Sequence, residues 1–134
     1  MPPLPATVPT VGLVLVTLAF LVKHLICDFL LQTAWMAFGK ERERDWVGPL
    51  AAHVGLHALG TGIVCLVFAP GLVWLAAVDF VVHGCLDRAK GLVGRRLGAT
   101  PRSSVFWWLL GIDQALHAAT HFAFTVAILA VAAA

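Results

Sequence analysis

The sequence predicts an all-α integral membrane protein, built as a four-helix bundle with both termini on the non-cytoplasmic side. The first observation is composition: hydrophobic residues make up 60% of the 134-residue chain and charged residues only 12%, with a mean hydropathy of +0.92. The second is a series of four apolar segments, each long enough to cross a hydrocarbon layer of about 30 Å. We therefore expect a single transmembrane domain over residues 1–134.

Each predicted helix is bounded by residues that start or stop helices. Thr10 can cap the first helix, and the mixed-charge run Lys40–Asp45 ends it. The apolar turn Ala69–Gly71 separates the second helix from the third, and the basic segment Gly94–Arg102 separates the third from the fourth. The expected helices span residues 10–38, 48–68, 72–93 and 104–130.

The basic residues predict the orientation of the bundle. Of the nine, eight lie in or beside the loops that follow the first and third helices: Lys40, Arg42, Arg44, Arg88, Lys90, Arg95, Arg96 and Arg102. Lysine and arginine are enriched in cytoplasmic loops, so we expect a multi-pass protein of the inner (plasma) membrane with both of these loops inside. The few basic residues, mostly at membrane edges, disfavour a nucleic-acid partner, and the expected partners are membrane lipids.

Polar side chains recur every four residues within the predicted helices, which places them on one face of each helix. The sets are His24, Asp28 and Gln32; His53 and His57; Asp79, His83 and Asp87; and Asp113, His117 and His121. At a rise of about 1.5 Å per residue, Asp28, His57, His83 and Asp113 lie at similar depth, about 14–16 Å from the cytoplasmic helix ends. Because ionisable groups at such depth are costly and usually functional, we expect one shared polar site.

The acids of this site predict a bound cation. Ionised, Asp28, Asp79, Asp87 and Asp113 would place four negative charges in the membrane. Lys23 lies at the depth of Asp79, and we expect these two to form an ion pair. The remaining carboxylates lie among imidazoles, and both groups are ligands of zinc and other first-row divalent ions. The expected ligands of this divalent metal, zinc being the first choice, are His24, His53, His57, His83, Asp87 and His117.

If the site is catalytic, the expected chemistry is hydrolysis by metal-activated water. Asp28 or Asp113 would act as the general base, and Gln32 or Gln114 would donate hydrogen bonds to an oxyanion or to the substrate. Three other interpretations remain open. The polar residues can form a metal-free network that locks the helices together or a proton or ion pathway, and His121 can serve as a hydrogen-bonding residue between helices.

Taken in their order along the chain, these polar residues and their neighbours form a motif that resembles one protein family. It reads His24-xxx-Asp28-Phe29-x-Leu31-Gln32, Met36-Ala37 with Lys40, His53-Val54, His83-xxx-Asp87-xx-Lys90 and Asp113-Gln114-xx-His117. This pattern resembles the small bacterial integral-membrane family known as domain of unknown function 3307, a likeness that implies a membrane protein but no particular activity. The pattern is also distantly similar to membrane-bound metal-dependent hydrolases, which implies intramembrane His and Asp ligands.

These observations lead to two functional hypotheses. The first is a metal-dependent hydrolase that acts on a lipid-like or membrane-associated substrate. The second is a non-catalytic membrane protein, either an accessory subunit of a larger membrane complex or a small carrier of metal ions or protons. A bundle this small also leads us to expect a homo-oligomer or a larger membrane complex.

Overall fold

The computed structural model describes residues 7–132, and within this range the chain is all-α, with no β-strand. The elements are α1 (Thr10–Leu25), a π-helical segment (Ile26–Leu30), α2 (Ala34–Gly39), α3 (Val47–Phe68), a 3₁₀ turn (Pro70–Leu72), α4 (Leu75–Arg96) and α5 (Ser104–Ala132). The predicted all-α class is therefore confirmed for this part of the chain.

The prediction of one continuous helix over residues 10–38 is wrong. After α1 the backbone widens into the π-helical segment, in which the amide of Leu31 donates to the carbonyl of Ile26 at 2.9 Å. Thr33 is extended, with φ −76° and ψ 161°, and its side chain accepts a hydrogen bond from the amide of Met36. Because a π-helical turn contains an extra residue, Gln32 does not continue the helical face that carries His24 and Asp28.

The other helices lie close to their predicted bounds. The second predicted helix, residues 48–68, is α3, and the fourth, residues 104–130, is α5. The third was expected from residue 72 but begins at Leu75, because Pro70–Leu72 form a 3₁₀ turn first. The fixed φ angle of proline and the tightness of the turn both favour such a short 3₁₀ element ahead of a helix.

The four long helices contact one another in cyclic order. α1 packs against α3 and α5, and α4 packs against the same two helices from the opposite side. Apolar residues fill the interior near the 3₁₀ turn: Val16, Phe20, Val64, Cys65, Ala69, Leu72, Leu75, Phe124, Ile128 and Leu129. The interior toward the other end of the helices is polar and contains the candidate site.

The outer surface is apolar where the interior is polar. Leu30, Val67 and Trp108 expose about two thirds or more of their surface, whereas His53 and His57 expose none. Three helical stretches are long and apolar enough to cross a membrane: Thr10–Leu30, Val47–Phe68 and Ser104–Ala132. α4, the remaining predicted span, carries acidic and basic residues along its length and does not meet that composition. This inverted distribution is consistent with a membrane protein.

The segment after α2 is tied to α4 and to the start of α3. Arg88 donates a hydrogen bond to the carbonyl of Arg42 at 2.8 Å, and its guanidinium lies 4.1 Å from the centre of the Trp46 ring. At Gly39 an added Cβ would come within 2.5 Å of the Pro49 ring. The close approach that glycine permits here places the next residue, Lys40, over the end of the polar interior.

Candidate metal centre

Three elements of the fold bring one acid and three histidines together. Asp28 lies in the π-helical segment, His53 and His57 lie one turn apart on α3, and His83 lies on α4. Each offers one possible ligand atom, and these atoms all lie within 4.8 Å of one another. We call these four residues the Asp28 group. The i, i+4 spacing on α3 aims both of its imidazoles at the same space.

The carboxylate of Asp28 is surrounded by imidazoles. Its Oδ1 lies 3.0 Å from Nε2 of His57 and 3.5 Å from Nε2 of His53. Its Oδ2 lies 3.0 Å from Nε2 of His24. Asp28 is therefore in contact with three histidines, and within residues 7–132 no lysine or arginine forms an ion pair with it.

A second set of possible ligands overlaps the first. His83, Asp87 and His117 also offer ligand atoms within 4.8 Å of one another. The ring of His83 lies between two others, with centroids 3.8 Å from that of His57 and 3.9 Å from that of His117. Since His83 belongs to both sets, the two sets form one continuous centre.

Many polar atoms in this centre are buried without a hydrogen-bond partner. In the described part of the chain they include Nδ1 of His24, His53, His57 and His83, Nε2 of His53 and His117, and one oxygen each of Gln32 and Asp113. An unpaired buried polar atom costs about 1–3 kcal/mol. A concentration of them, most of them metal-ligand nitrogens, is the arrangement expected where a cation binds.

The three acids on α4 and α5 have lysine partners. Nζ of Lys23 lies 2.8 Å from Oδ2 of Asp79, and the pair is almost fully buried. Nζ of Lys40 lies 2.7 Å from Oδ2 of Asp87. Lys90 lies between two acids, with Nζ 3.5 Å from Oδ2 of Asp113 and 3.5 Å from Glu41. Of these three acids and Asp28, Asp28 is therefore the one that has no ammonium partner within residues 7–132.

The predicted Lys23–Asp79 ion pair is confirmed, and it is the centre of a separate cluster. Thr61 donates a hydrogen bond to Oδ2 of Asp79 at 2.6 Å, and Nε2 of His121 lies 3.1 Å from Nζ of Lys23. We call Lys23, Thr61, Asp79 and His121 the Lys23 cluster. His121 is thus a hydrogen-bonding residue between helices, one of the roles expected for it.

The structure places the remaining predicted residues around the Asp28 group. His24 contacts Asp28 but belongs to neither set of ligand atoms, and its Nε2 lies 3.2 Å from Oε1 of Gln114. Gln32 donates to the carbonyl of Asp28 at 3.1 Å. Nδ1 of His117 is hydrogen-bonded to the carbonyl of Asp113 at 2.8 Å. Asp113 itself lies outside both sets and is shared by His117 and Lys90.

Two residues, one beside the candidate metal centre and one in the Lys23 cluster, were not expected from their sequence positions. Lys40 follows α2 in a charged run, a position typical of a solvated residue, yet it is only 6% exposed. Thr61 lies in an apolar stretch of α3 and is fully buried beside Asp79. For Thr61 the available signal was its spacing, because it lies four residues after His57 and so on the same helical face.

Comparison with known proteins adds a family. The sequence profile of a family described as "Protein of unknown function (DUF3307)" matches residues 16–134, which is most of the chain. The chain belongs to the DUF3307 family. No curated protein and no solved structure matches it. The predicted resemblance to this family is confirmed, while the likeness to metal-dependent hydrolases stays a prediction. The DUF3307 match includes every member of the Asp28 group.

Proposed function

We propose that this DUF3307 protein is an integral membrane protein that binds a divalent metal ion at the Asp28 group. One observation carries the proposal: three buried imidazoles and an aspartate that lacks an ammonium partner present ligand atoms within 4.8 Å of one another. Carboxylate and imidazole are the ligands of first-row divalent metals in proteins. Sites of this kind are commonly built from facing helices.

Zinc is the ion we propose first. Around a tetrahedral zinc with bonds of about 2.0 Å, ligand atoms are about 3.3 Å apart. The contacts of 3.0 Å and 3.5 Å between Asp28 Oδ1 and the Nε2 atoms of His57 and His53 are of this size. Three neutral imidazoles and one carboxylate leave a zinc centre with one net positive charge. That charge suits a further anion or a polarised oxygen ligand.

The proposed setting is a four-span bundle with both termini outside the cytoplasm, in the plasma membrane. Its support is the inverted surface, apolar outside and polar inside, together with the concentration of basic residues at one end of the helices. α4 is the most polar of the four. Its acids Asp79 and Asp87 are each matched by a lysine, which lowers the cost of placing this helix in a bilayer.

Hydrolysis of a lipid-like ester is the activity we propose for this centre. A dication held by the Asp28 group would supply a water activated for attack on the ester carbonyl carbon, with an alcohol as the leaving group. His117 is placed to accept the proton and return it to the leaving alcohol. Its Nδ1 is held by the carbonyl of Asp113, and its Nε2 is buried without a partner. These two features support His117 as the proposed general base.

Elemental analysis of the purified full-length protein tests the metal proposal. We expect about one zinc or similar ion per chain, and less than about 0.2 in His83→Ala, since that variant loses the ligand shared by both sets. His121→Gln is the matched control, because His121 is a buried histidine outside the centre, and it should keep the metal. A wild-type protein that holds less than about 0.2 ion per chain, even after incubation with zinc, would contradict the proposal.

Activity is tested separately from metal binding. Hydrolysis of a diacylglycerol or phospholipid ester in vesicles, abolished by a chelator and restored by zinc, supports the hydrolase. A metal-loaded protein that turns over no ester but conducts zinc into proteoliposomes would instead support a carrier. Isolation of the metal-loaded chain within a larger membrane complex after gentle extraction would support the accessory subunit.

A further inference from the structure

A cleft between α1 and α5 reaches the candidate metal centre from the side of the molecule. Its volume is about 480 Å³, within the range of about 300–1,000 Å³ typical of small-molecule sites. Leu21, Ala118 and Phe122 form its outer walls, and His24 and Gln114 lie among its lining residues. We call this space the α1–α5 cleft.

The cleft opens between two helices that have the length and composition of membrane spans. Leu21 and Phe122 are each 56% exposed on the outer surface. In a bilayer this opening would face hydrocarbon and not water. A molecule that enters here therefore has to come from the membrane and has to present an apolar chain to the walls.

The inner side of the cleft is polar but carries no fixed charge. Its lining contains no lysine, arginine, aspartate or glutamate. His24 lies at the boundary, because its Nε2 contacts both Oε1 of Gln114 at 3.2 Å and Oδ2 of Asp28 at 3.0 Å. Nδ1 of His24 is buried and has no partner in the described residues. With Nε2 beside two acceptor oxygens, Nδ1 of a neutral His24 can accept a hydrogen bond from a hydroxyl group, and the amide nitrogen of Gln114 can donate one to an uncharged acceptor such as an ester carbonyl.

Other clefts along the described helices do not combine these properties. The α1–α3 cleft is lined by Lys23, whose ammonium group is already paired with Asp79. The α3–α4 cleft has Arg88 near its end and no histidine in its lining. The cleft between α4 and α5 touches Asp113 but has a volume of only about 160 Å³. Of these four, the α1–α5 cleft alone is lined by His24.

We infer that the α1–α5 cleft admits one acyl chain of an uncharged glycerolipid, a diacylglycerol, and brings its ester group to His24 and Gln114. The inference rests on the proposed function in that it names the substrate class of the same centre. The chain lies between Leu21 and Phe122, and the ester carbonyl accepts hydrogen bonds from the polar inner side. In this position the side chain of His24 lies between the ester and Asp28.

Photolabelling in vesicles tests the inference. The probe is diacylglycerol with a diazirine in the middle of one acyl chain, added to phosphatidylcholine vesicles that contain the full-length protein. We expect saturable labelling of α1 and α5 near Leu21 and Phe122, and competition by unlabelled diacylglycerol but not by hexadecane. Ala118→Trp fills the cleft and should reduce this labelling at least about fivefold. Ala119→Trp, an exposed neighbour outside the lining, should not reduce it.

A second pair of variants fills the cleft from the opposite helix. Leu21→Trp should reduce the labelling as Ala118→Trp does, and Leu25→Trp, which is equally exposed but outside the lining, should leave it unchanged. Labelling that does not saturate, that hexadecane competes equally well, or that both filling variants leave intact overturns the inference. Metal content is measured in the same preparations. A failure of the metal proposal is therefore detected independently of the labelling.

Discussion

The Lys23 cluster and the Asp28 group are built from the same residue types but are completed differently. In the Lys23 cluster, Asp79 receives an ammonium group at 2.8 Å and a hydroxyl at 2.6 Å. In the Asp28 group the carboxylate meets only imidazoles, and several of their ring nitrogens have no partner. The first cluster supplies its own cation. The second has no such internal cation among the described residues, and this is the basis of the proposal that it binds a metal ion.

The same difference separates His121, whose contacts lie within the protein, from His83, which we propose as a metal ligand. His121 is 6% exposed and has its Nε2 beside Lys23, whereas His83 is 1% exposed and its Nδ1 has no partner. Burial alone therefore does not distinguish them. The distinction is whether the buried polar atoms around the ring are satisfied within the protein, because unsatisfied ligand atoms require an external partner.

The largest expected effect comes from removing the internal cation. Lys23→Met leaves Asp79 as a buried charge with no ammonium partner, which costs about 3–5 kcal/mol of unfolding free energy. Thermal unfolding of the protein in detergent micelles measures the loss. The double variant Lys23→Met with Asp79→Leu should recover much of it, because the paired charges are then replaced together. If the single variant is as stable as the wild type, the Lys23 cluster is not structural.

The next effect comes from the carboxylate of the Asp28 group. Added zinc should stabilise the wild type by about 2.7 kcal/mol when its free concentration is a hundred times the Kd. Asp28→Asn should abolish most of this stabilisation while changing the metal-free protein little, because no ammonium partner is left unpaired. The melting temperature is measured with and without zinc. A zinc-dependent shift that survives in Asp28→Asn would place the metal elsewhere.

A smaller effect should follow from the variant Lys40→Met. It removes the ammonium group 2.7 Å from Oδ2 of Asp87 and should destabilise the metal-free protein by about 2 kcal/mol, since this buried carboxylate then keeps only imidazole contacts, the nearest of them 3.2 Å from Nε2 of His53. Zinc should then restore part of the stability, because Asp87 belongs to the second set of ligand atoms and becomes available. The contrary result, a smaller zinc-dependent shift than in the wild type, would mean that Lys40 supports metal binding.

The smallest effect is expected at the cap of α2. Thr33→Ala removes the side chain that accepts the amide of Met36 at 3.3 Å, and loss of such a cap costs about 1 kcal/mol. Thr33→Ser should cost little, because its hydroxyl can accept the same hydrogen bond. Hydrogen exchange at the Met36 amide reports on α2 directly. Equal protection in Thr33→Ala and the wild type would show that the cap contributes nothing.

The sequence predicted much of the helical framework and part of the site. The bounds of α3 and α5 followed from charged and proline-containing boundaries, and the Lys23–Asp79 pair followed from depth counting. The break after Leu30 was not predicted, because residues 26–33 contain no proline or glycine and only the packed helices select the π-helical turn. Lys40 lies beyond that break, so counting along a straight helix did not place it beside Asp87.

The structure also differs from the sequence prediction in the number of acids that have a lysine partner. One lysine was expected to neutralise one of the four acids, which left three carboxylates for the metal. In the structure Lys40 and Lys90 approach Asp87 and Asp113 as well. Among these four acids of the described chain, the need for an added cation therefore falls mainly on Asp28. Asp28, which was expected as a general base, takes the place of His24 among the grouped ligand atoms.

The separation of Lys23 from Asp79 has a consequence for how the protein is made. The two residues are 56 positions apart, so α1 is synthesised well before α4. In the proposed membrane setting, α1 would hold a lysine in its apolar stretch without a matching carboxylate until α4 arrives, and α4 on its own would be too polar to enter lipid readily. Each helix therefore completes the other, and stable insertion of the two should be a joint event late in biogenesis.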